Sequence, residues 1–153
     1  MRVIGYGNAF RGDDGAGIML ARRLRELGVT ALEIGGDASA LVEAWNGADD
    51  MILVDAVVTG APPGTVHLWE GGRTQLPPYP CTSTHGLGIA EAVGLAHLLG
   101  RLPYRFRLYG IEGRRFAPGS AASPEVLLAV EAIAQSIAAE EAKTLAGGAG
   151  THG

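Results

Sequence analysis

Two periodic patterns of hydrophobic positions alternate along this chain. Short runs of branched apolar residues, the pattern of β-strands, occur at residues 2–6, 31–34, 51–55, 65–69 and 105–111. Apolar residues at three- and four-residue spacing, the pattern of amphipathic helices, occur at residues 14–27, 39–45, 85–99 and 123–143. This alternation predicts a three-layer α/β/α sandwich around a largely parallel, twisted sheet of about five strands.

The predicted strands differ in their surroundings. Residues 51–54 are uniformly apolar and end at Asp55, which is typical of a central strand in a parallel sheet. Residues 65–69 alternate between apolar and polar, which predicts an edge strand that is able to pair antiparallel. Ligands of parallel sheets bind beyond the carboxyl ends of the strands, where the strand order reverses. The polar residues predicted at those ends are Asn8, Asp13, Asp14, Asp37, Asp55 and His85.

Composition predicts one cytoplasmic globular domain. The chain has 153 residues, 47% of them hydrophobic, and a formal net charge of −4, which argues against a nucleic-acid partner. No apolar run approaches the ~20 residues of a membrane span, and the opening MRVIGYGN lacks the features of a signal peptide. We expect a monomer with one domain over residues 1–143, a disordered tail over residues 144–153, and a solvated rim formed by the arginines of residues 101–115.

The loop GNAFRGDDG, at residues 7–15, has the glycine spacing of a phosphate-binding loop with the wrong charges. Asp13 and Asp14 stand where that loop has its lysine and hydroxyl residue, and two carboxylates repel a phosphate. The dinucleotide-binding fingerprint also fails, because Phe10 occupies the position of its third glycine. The loop is therefore suited to a cation or a polar substrate. The structural alternative is that Asp13 caps the following helix and Asp14 lies in its first turn.

Two further residues extend the acidic loop into a candidate metal site. Asp55 follows a buried strand, where a carboxylate without a partner is costly, and His85 opens a predicted helix at the same edge of the sheet. Two carboxylates and an imidazole from three separate connections are able to bind a divalent metal with open positions. A capping or backbone hydrogen bond for Asp55, and a capping role for His85, are the structural alternatives.

Other catalytic chemistry has weaker signals. No serine lies in the G-x-S-x-G motif of a nucleophile elbow. Cys81, in YPCTSTH, lies near His85 but lacks the helix N-terminus that lowers the pKa of a reactive thiol. His67, between Val66 and Leu68 in the predicted edge strand, is expected to face solvent.

The stretch VIGYGNAFRGDDGAG resembles the N-terminal motif of the hydrogenase maturation proteases. These endopeptidases trim the C-terminal extension from the large subunit of nickel-iron hydrogenases. LVDAV and STHGLG match the family's other two motifs in order and at suitable separations, and the resemblance spans residues 2–137. It implies that Asp14, Asp55 and His85 are the metal-contacting residues, with aspartate where many members have glutamate at the first position.

The resemblance implies cleavage of a nickel-iron hydrogenase large-subunit precursor after nickel insertion, with the bound nickel as recognition element. The same two carboxylates and imidazole are then the catalytic group, other divalent metals are able to occupy their site, and water is the expected nucleophile. We expect substrate contacts at Asn8, Gly35 and Gly36, although the family often has Asp-Gly-Gly-Thr where residues 34–37 read Ile-Gly-Gly-Asp. A metal-dependent small-molecule hydrolase and a non-catalytic nickel- or precursor-binding factor remain as alternatives.

Overall fold

The computed structural model of the chain describes residues 1–36, 38–45, 48–72 and 87–151. Its elements, in chain order, are β1 (Arg2–Tyr6), a 3-10 turn (Gly12–Gly15), α1 (Ala16–Glu26), β2 (Leu32–Ile34), α2 (Ala38–Trp45), β3 (Asp50–Val57), β4 (Val66–Gly71), α3 (Leu87–Leu98), β5 (Arg105–Glu112) and α4 (Pro124–Thr151). The predicted α/β class is confirmed.

The five strands form one sheet in the order β2-β1-β3-β5-β4. β1 pairs in parallel with β2 and β3, and β3 pairs in parallel with β5. β4 lies at the edge and runs antiparallel to β5, as the alternation over residues 65–69 predicted. The strand order reverses between β1 and β3, so the carboxyl ends of these two strands mark the expected ligand crevice.

Helices cover both faces of the sheet. α1 and α4 pack on one face, and α2 and α3 pack on the other. In β3, Ile52 and Val54 face the α1/α4 core, while Met51 and Leu53 face the α2/α3 core. The two-residue alternation of a strand therefore places Asp55 on the α2/α3 face.

Two predicted element boundaries are wrong. β3 does not end at Asp55 but runs to Val57, because β5 continues the ladder to Glu112 and supplies hydrogen-bond partners. α4 does not end near Lys143 but runs to Thr151, through most of the segment predicted as a disordered tail. The helix continues past Lys143 because each residue added to a formed helix contributes another backbone hydrogen bond, even though the glycines of this segment favour helix poorly.

The arginines of residues 101–115 do not all form a solvated rim. Arg107 is only 4% exposed, and its Nη1 lies 3.0 and 2.8 Å from the two carboxylate oxygens of Glu140. Strand alternation turns Arg107 toward α4, where Glu140 compensates the buried charge. The other arginines of this segment are exposed. In the described ranges, no helix is both long and apolar enough to cross a membrane.

Candidate active site

Two glycines set the turn that carries Asp14 onto the ends of the central strands. A Cβ atom on Gly17 would lie 2.3 Å from the carbonyl oxygen of Val54, so only glycine lets α1 begin this close to β3. Gly12 has φ 58°, in the left-handed region, and a Cβ there would lie 2.4 Å from the carbonyl oxygen of Arg115. Gly12, the second glycine of the spacing that resembles a phosphate loop, thus serves close backbone packing around an acidic turn.

Backbone hydrogen bonds fix Asp14 within this turn. Its N–H donates to the carbonyl oxygen of Arg11 at 3.1 Å, and its carbonyl accepts from the N–H of Asn8 at 3.1 Å. Asp14 is 5% exposed. The carboxylate is therefore carried by a backbone with little freedom to move.

Asp14 lines a cleft of about 620 Å³ together with three other predicted site residues, Asn8, Gly35 and Gly36. The structure thus brings four of the predicted residues together at the carboxyl ends of β1 and β2. The Tyr6 hydroxyl donates a hydrogen bond to the carbonyl oxygen of Gly36, which ties this wall of the cleft to β1.

Asp55 lies in β3 opposite Gly110 of β5 and is 1% exposed. Its Oδ1 accepts a hydrogen bond from the N–H of Ala56 at 2.8 Å. The prediction that Asp55 closes its strand is wrong, but Asp55 lies only two residues before Val57, the last residue of β3, on the face that α2 and α3 cover.

His85, Cys81 and Asp37 lie outside the described residues. His85 comes two residues before the start of α3 at Leu87. Within the residues that the structure describes, no three His, Cys, Asp or Glu side chains are grouped so that they could hold a metal ion. The three-residue metal set of Asp14, Asp55 and His85 therefore stays a prediction.

Asp13 has a different role from the predicted helix cap. Its carboxylate is fully buried and makes no capping bond to its own turn. Instead, Oδ2 accepts from the backbone N–H groups of Arg114 and Arg115 at 2.8 and 2.9 Å. Oδ1 accepts from the N–H of Ser123 at 2.6 Å, and Oδ2 accepts from its hydroxyl at 2.7 Å. Asp13 thus fastens the Asp14 turn to the segment between β5 and α4.

Electrostatics agree with this role for Asp13. Burial raises the pKa of its carboxyl, but hydrogen bonds from Ser123, Arg115 and Arg114 lower it more, so the pKa lies below the ordinary value of 3.8. The buried group is therefore held as a carboxylate, the form that accepts all four bonds.

A second buried carboxylate, Glu112, lies at the carboxyl end of β5. Its Oε1 accepts from the Thr59 hydroxyl at 2.5 Å and lies 3.1 Å from Nε2 of His67, and its Oε2 accepts from the Thr59 N–H at 2.8 Å. Burial raises the pKa of Glu112, but these contacts lower it by a larger amount, so the pKa lies below its ordinary value.

The prediction that His67 faces solvent is therefore wrong, because its side chain is only 24% exposed and pairs with Glu112. Sequence reasoning missed Glu112, which ends a buried strand and so carries the same signal that singled out Asp55.

The chain matches a known protein family over most of its length. The family model HycI, described as hydrogenase maturation protease, matches residues 18–140. Over 118 residues, 72% of this chain, it is 30% identical to the hydrogenase expression/formation protein HupD of Thiocapsa roseopersicina, of which it covers 52%. A stretch of 60 residues, 39% of this chain, is 42% identical to protein FrxA of Pyrococcus furiosus, of which it covers 43%. The chain thus spans about half the length of these relatives.

Solved structures show the same architecture. The [NiFe] hydrogenase maturation protease HybD of Thermococcus kodakarensis superposes with a TM-score of 0.70 at 29% identity, covering 95% of this chain and 99% of that one. The hydrogenase maturating endopeptidase HybD of E. coli has a TM-score of 0.76 at 22% identity, covering 94% of both chains. The latter likeness establishes the fold.

Proposed function

Since this chain belongs to the hydrogenase maturation protease family, we propose that it removes the C-terminal extension of a nickel-iron hydrogenase large-subunit precursor. The observation that carries this proposal is the cleft in which Asp14 lies beside Asn8, Gly35 and Gly36. The cleft lies beyond the carboxyl ends of β1 and β2, next to the point between β1 and β3 where the strand order reverses, and ligands of such sheets usually bind beyond the carboxyl ends of the strands. It places the Asp14 carboxylate beside the backbone of Gly35 and Gly36, so a group that binds metal and a surface that a peptide can approach lie together.

Asp14, Asp55 and His85 are proposed to contact the nickel that the precursor already carries. Carboxylate oxygens and imidazole nitrogen are suitable ligands for a divalent transition metal. The nickel is then part of the substrate, and its presence distinguishes a finished precursor from an unfinished one. Metal coordination supplies polarisation of the scissile carbonyl or activation of a water molecule.

The remaining cleft residues are proposed to hold the peptide. Gly35 and Gly36 present no side chain, so a second backbone is able to approach them closely. Asn8 is exposed, and its Oδ1 accepts from the N–H of Phe10 at 2.9 Å. Its side-chain N–H₂ is therefore the end oriented for donation to a substrate carbonyl. Water attacks the scissile carbonyl in this scheme, because no nucleophile-elbow serine occurs in the chain.

We further propose that the protein acts in the cytoplasm as a monomer. Its single cysteine, Cys81, suits a reducing compartment.

Incubation of the purified protein with a nickel-loaded precursor tests the function directly. The proposal predicts a product whose mass is reduced by that of the C-terminal extension, as measured by mass spectrometry. A non-catalytic maturation factor would bind the precursor and leave its mass unchanged. A small-molecule hydrolase would bind metal ions alone and neither bind nor cut the precursor. Either result would overturn the proposed function.

A further inference from the structure

Phe10 is an aromatic side chain held out into solvent by an ordered loop. The side chain is 82% exposed. Its backbone is fixed on both sides, because its N–H donates to Oδ1 of Asn8 at 2.9 Å and its carbonyl accepts from the N–H of Gly119 at 2.7 Å. Exposed aromatic rings on fixed backbone resemble the anchor residues of protein interfaces, since they bury much apolar area and lose little conformational entropy.

The surroundings of Phe10 are positively charged, although the whole chain has a net charge of −4. Residues 7–11 and 113–123 form two adjacent loops, joined by the bond from Gly119 to Phe10 and by a bond from Nε of Arg11 to the Phe116 carbonyl at 3.1 Å. The charged residues of these loops are all arginines, and all are exposed: Arg11, Arg114 and Arg115. Of these, Arg114 lies 3.5 Å from a carboxylate oxygen of Glu125.

The position of Phe10 links this patch to the proposed active site. Phe10 and Arg11 also line the cleft that contains Asp14. A peptide bound across the patch is therefore continuous with one bound in the cleft. An acidic segment pairs with the arginines, and an apolar side chain packs on the exposed ring.

We propose that the surface formed by Phe10, Arg11 and Arg115 docks a precursor segment in which an apolar side chain lies beside acidic residues. This inference rests on the proposed function, and it adds the chemistry by which the substrate polypeptide is selected apart from its metal. Docking at this surface holds the precursor while the cleft engages the scissile region. The recognition of nickel and the recognition of polypeptide then depend on different residues.

Steady-state cleavage of a nickel-loaded precursor by two variants tests the proposal. Phe10→Ala removes the ring, and Arg115→Glu reverses the charge of the Arg115 side chain. The bond from Arg115 to Asp13 is made by its backbone N–H and is kept in this variant. Each is expected to raise KM about tenfold and to leave kcat within about twofold, as loss of an anchor contact does. Arg115→Glu is also expected to weaken the dependence of KM on salt concentration.

Leu98→Ala provides the matched control. Leu98 is 83% exposed but lies at the end of α3, before the amino end of β5, whereas Arg115 follows the carboxyl end of that strand. This variant is expected to have the KM of the wild type.

The dissociation constant of each variant for the same precursor is measured in parallel. If the wild type cuts the precursor and both variants keep its KM and dissociation constant, the docking surface is wrong and the proposed function stands. If the wild type binds but does not cut, the proposed function fails, and the dissociation constants still decide the docking surface. A wild-type dimer in sedimentation that Phe10→Ala abolishes would identify this surface as a contact between two copies, which also overturns the proposal.

Discussion

The carboxylate of Asp13 holds Ser123 by two hydrogen bonds, one to its backbone N–H at 2.6 Å and one to its hydroxyl at 2.7 Å. The two residues are 110 positions apart in the chain. Asp13 therefore joins the turn that carries Asp14 to the start of α4. The position of the candidate catalytic carboxylate depends on this buried neighbour.

Substitution of Asp13 by asparagine is expected to destabilise the fold. Asparagine keeps one oxygen acceptor, but its N–H₂ group replaces the other oxygen. That N–H₂ group then faces N–H or O–H donors whose hydrogen bonds the carboxylate accepts in the wild type. The free energy of unfolding should fall by about 2–4 kcal/mol, since hydrogen bonds to a charged group are worth about 1.5–3 kcal/mol each. Urea denaturation measures this change. Ser123→Ala removes only the hydroxyl bond and should cost about 1.5 kcal/mol, the low end of that range; an equal loss in both variants would contradict the tether.

The same residue should control part of the acid sensitivity. The folded-state pKa of Asp13 lies below its ordinary value of 3.8, so its carboxylate stabilises the fold fully above that value. This contribution is lost as the pH falls through the folded-state pKa. The wild type should therefore lose more free energy of unfolding below pH 3.8 than Asp13→Asn does. Parallel slopes of stability against pH for the two proteins would contradict this assignment.

Removal of the Glu140 carboxylate should destabilise the protein through Arg107. Glu140→Ala leaves the buried guanidinium with Asp50, at 3.6 Å, as its remaining carboxylate contact in the described structure. We expect a loss of about 1–3 kcal/mol in the free energy of unfolding, because a buried charge is left poorly compensated. Glu141→Ala changes the neighbouring glutamate and serves as the control, which should stay within about 0.5 kcal/mol of the wild type.

Truncation after Leu145 should leave both the fold and cleavage intact. The last residues of α4 that contribute to the core are Ile137 and Ala138, and residues 144–147 are exposed. The deleted segment therefore removes no core contact of the described structure. Thermal unfolding of the truncated protein should match that of the full chain; a large fall in Tm would show that the end of α4 stabilises the domain.

Most of the fold is predictable because it follows from local patterns. The strand β1, the edge position of β4 and the apolar central strand β3 are all encoded in the period and length of hydrophobic runs. The ends of β3 and α4 are not, because they depend on the length of the partner β5 and on cooperative helix extension.

The candidate site also has residues that the sequence predicts and residues that it does not. Asn8 and Asp14 are predictable because strand ends in a parallel sheet converge at one edge, whereas the expectation for Gly35 and Gly36 comes from the family resemblance. The prediction of a helix cap at Asp13 is wrong, because three of its four hydrogen-bond donors are backbone N–H groups and all four lie more than 100 positions away in the chain. His67 was misassigned for a related reason, since the alternation of an edge strand does not reveal the carboxylate of Glu112 on the neighbouring strand.

The central claim is that nickel in the precursor is read by an acidic site that includes Asp14. The most direct measurement compares cleavage rates of nickel-loaded and nickel-free precursor by the wild type and by Asp14→Asn, with folding of both proteins checked by thermal unfolding. The amide keeps the shape of the side chain but is a much poorer ligand for a divalent ion. We predict rapid cleavage only of the loaded precursor and only by the wild type. Equal cleavage of both precursors by the wild type, or wild-type rates for Asp14→Asn, would contradict the claim.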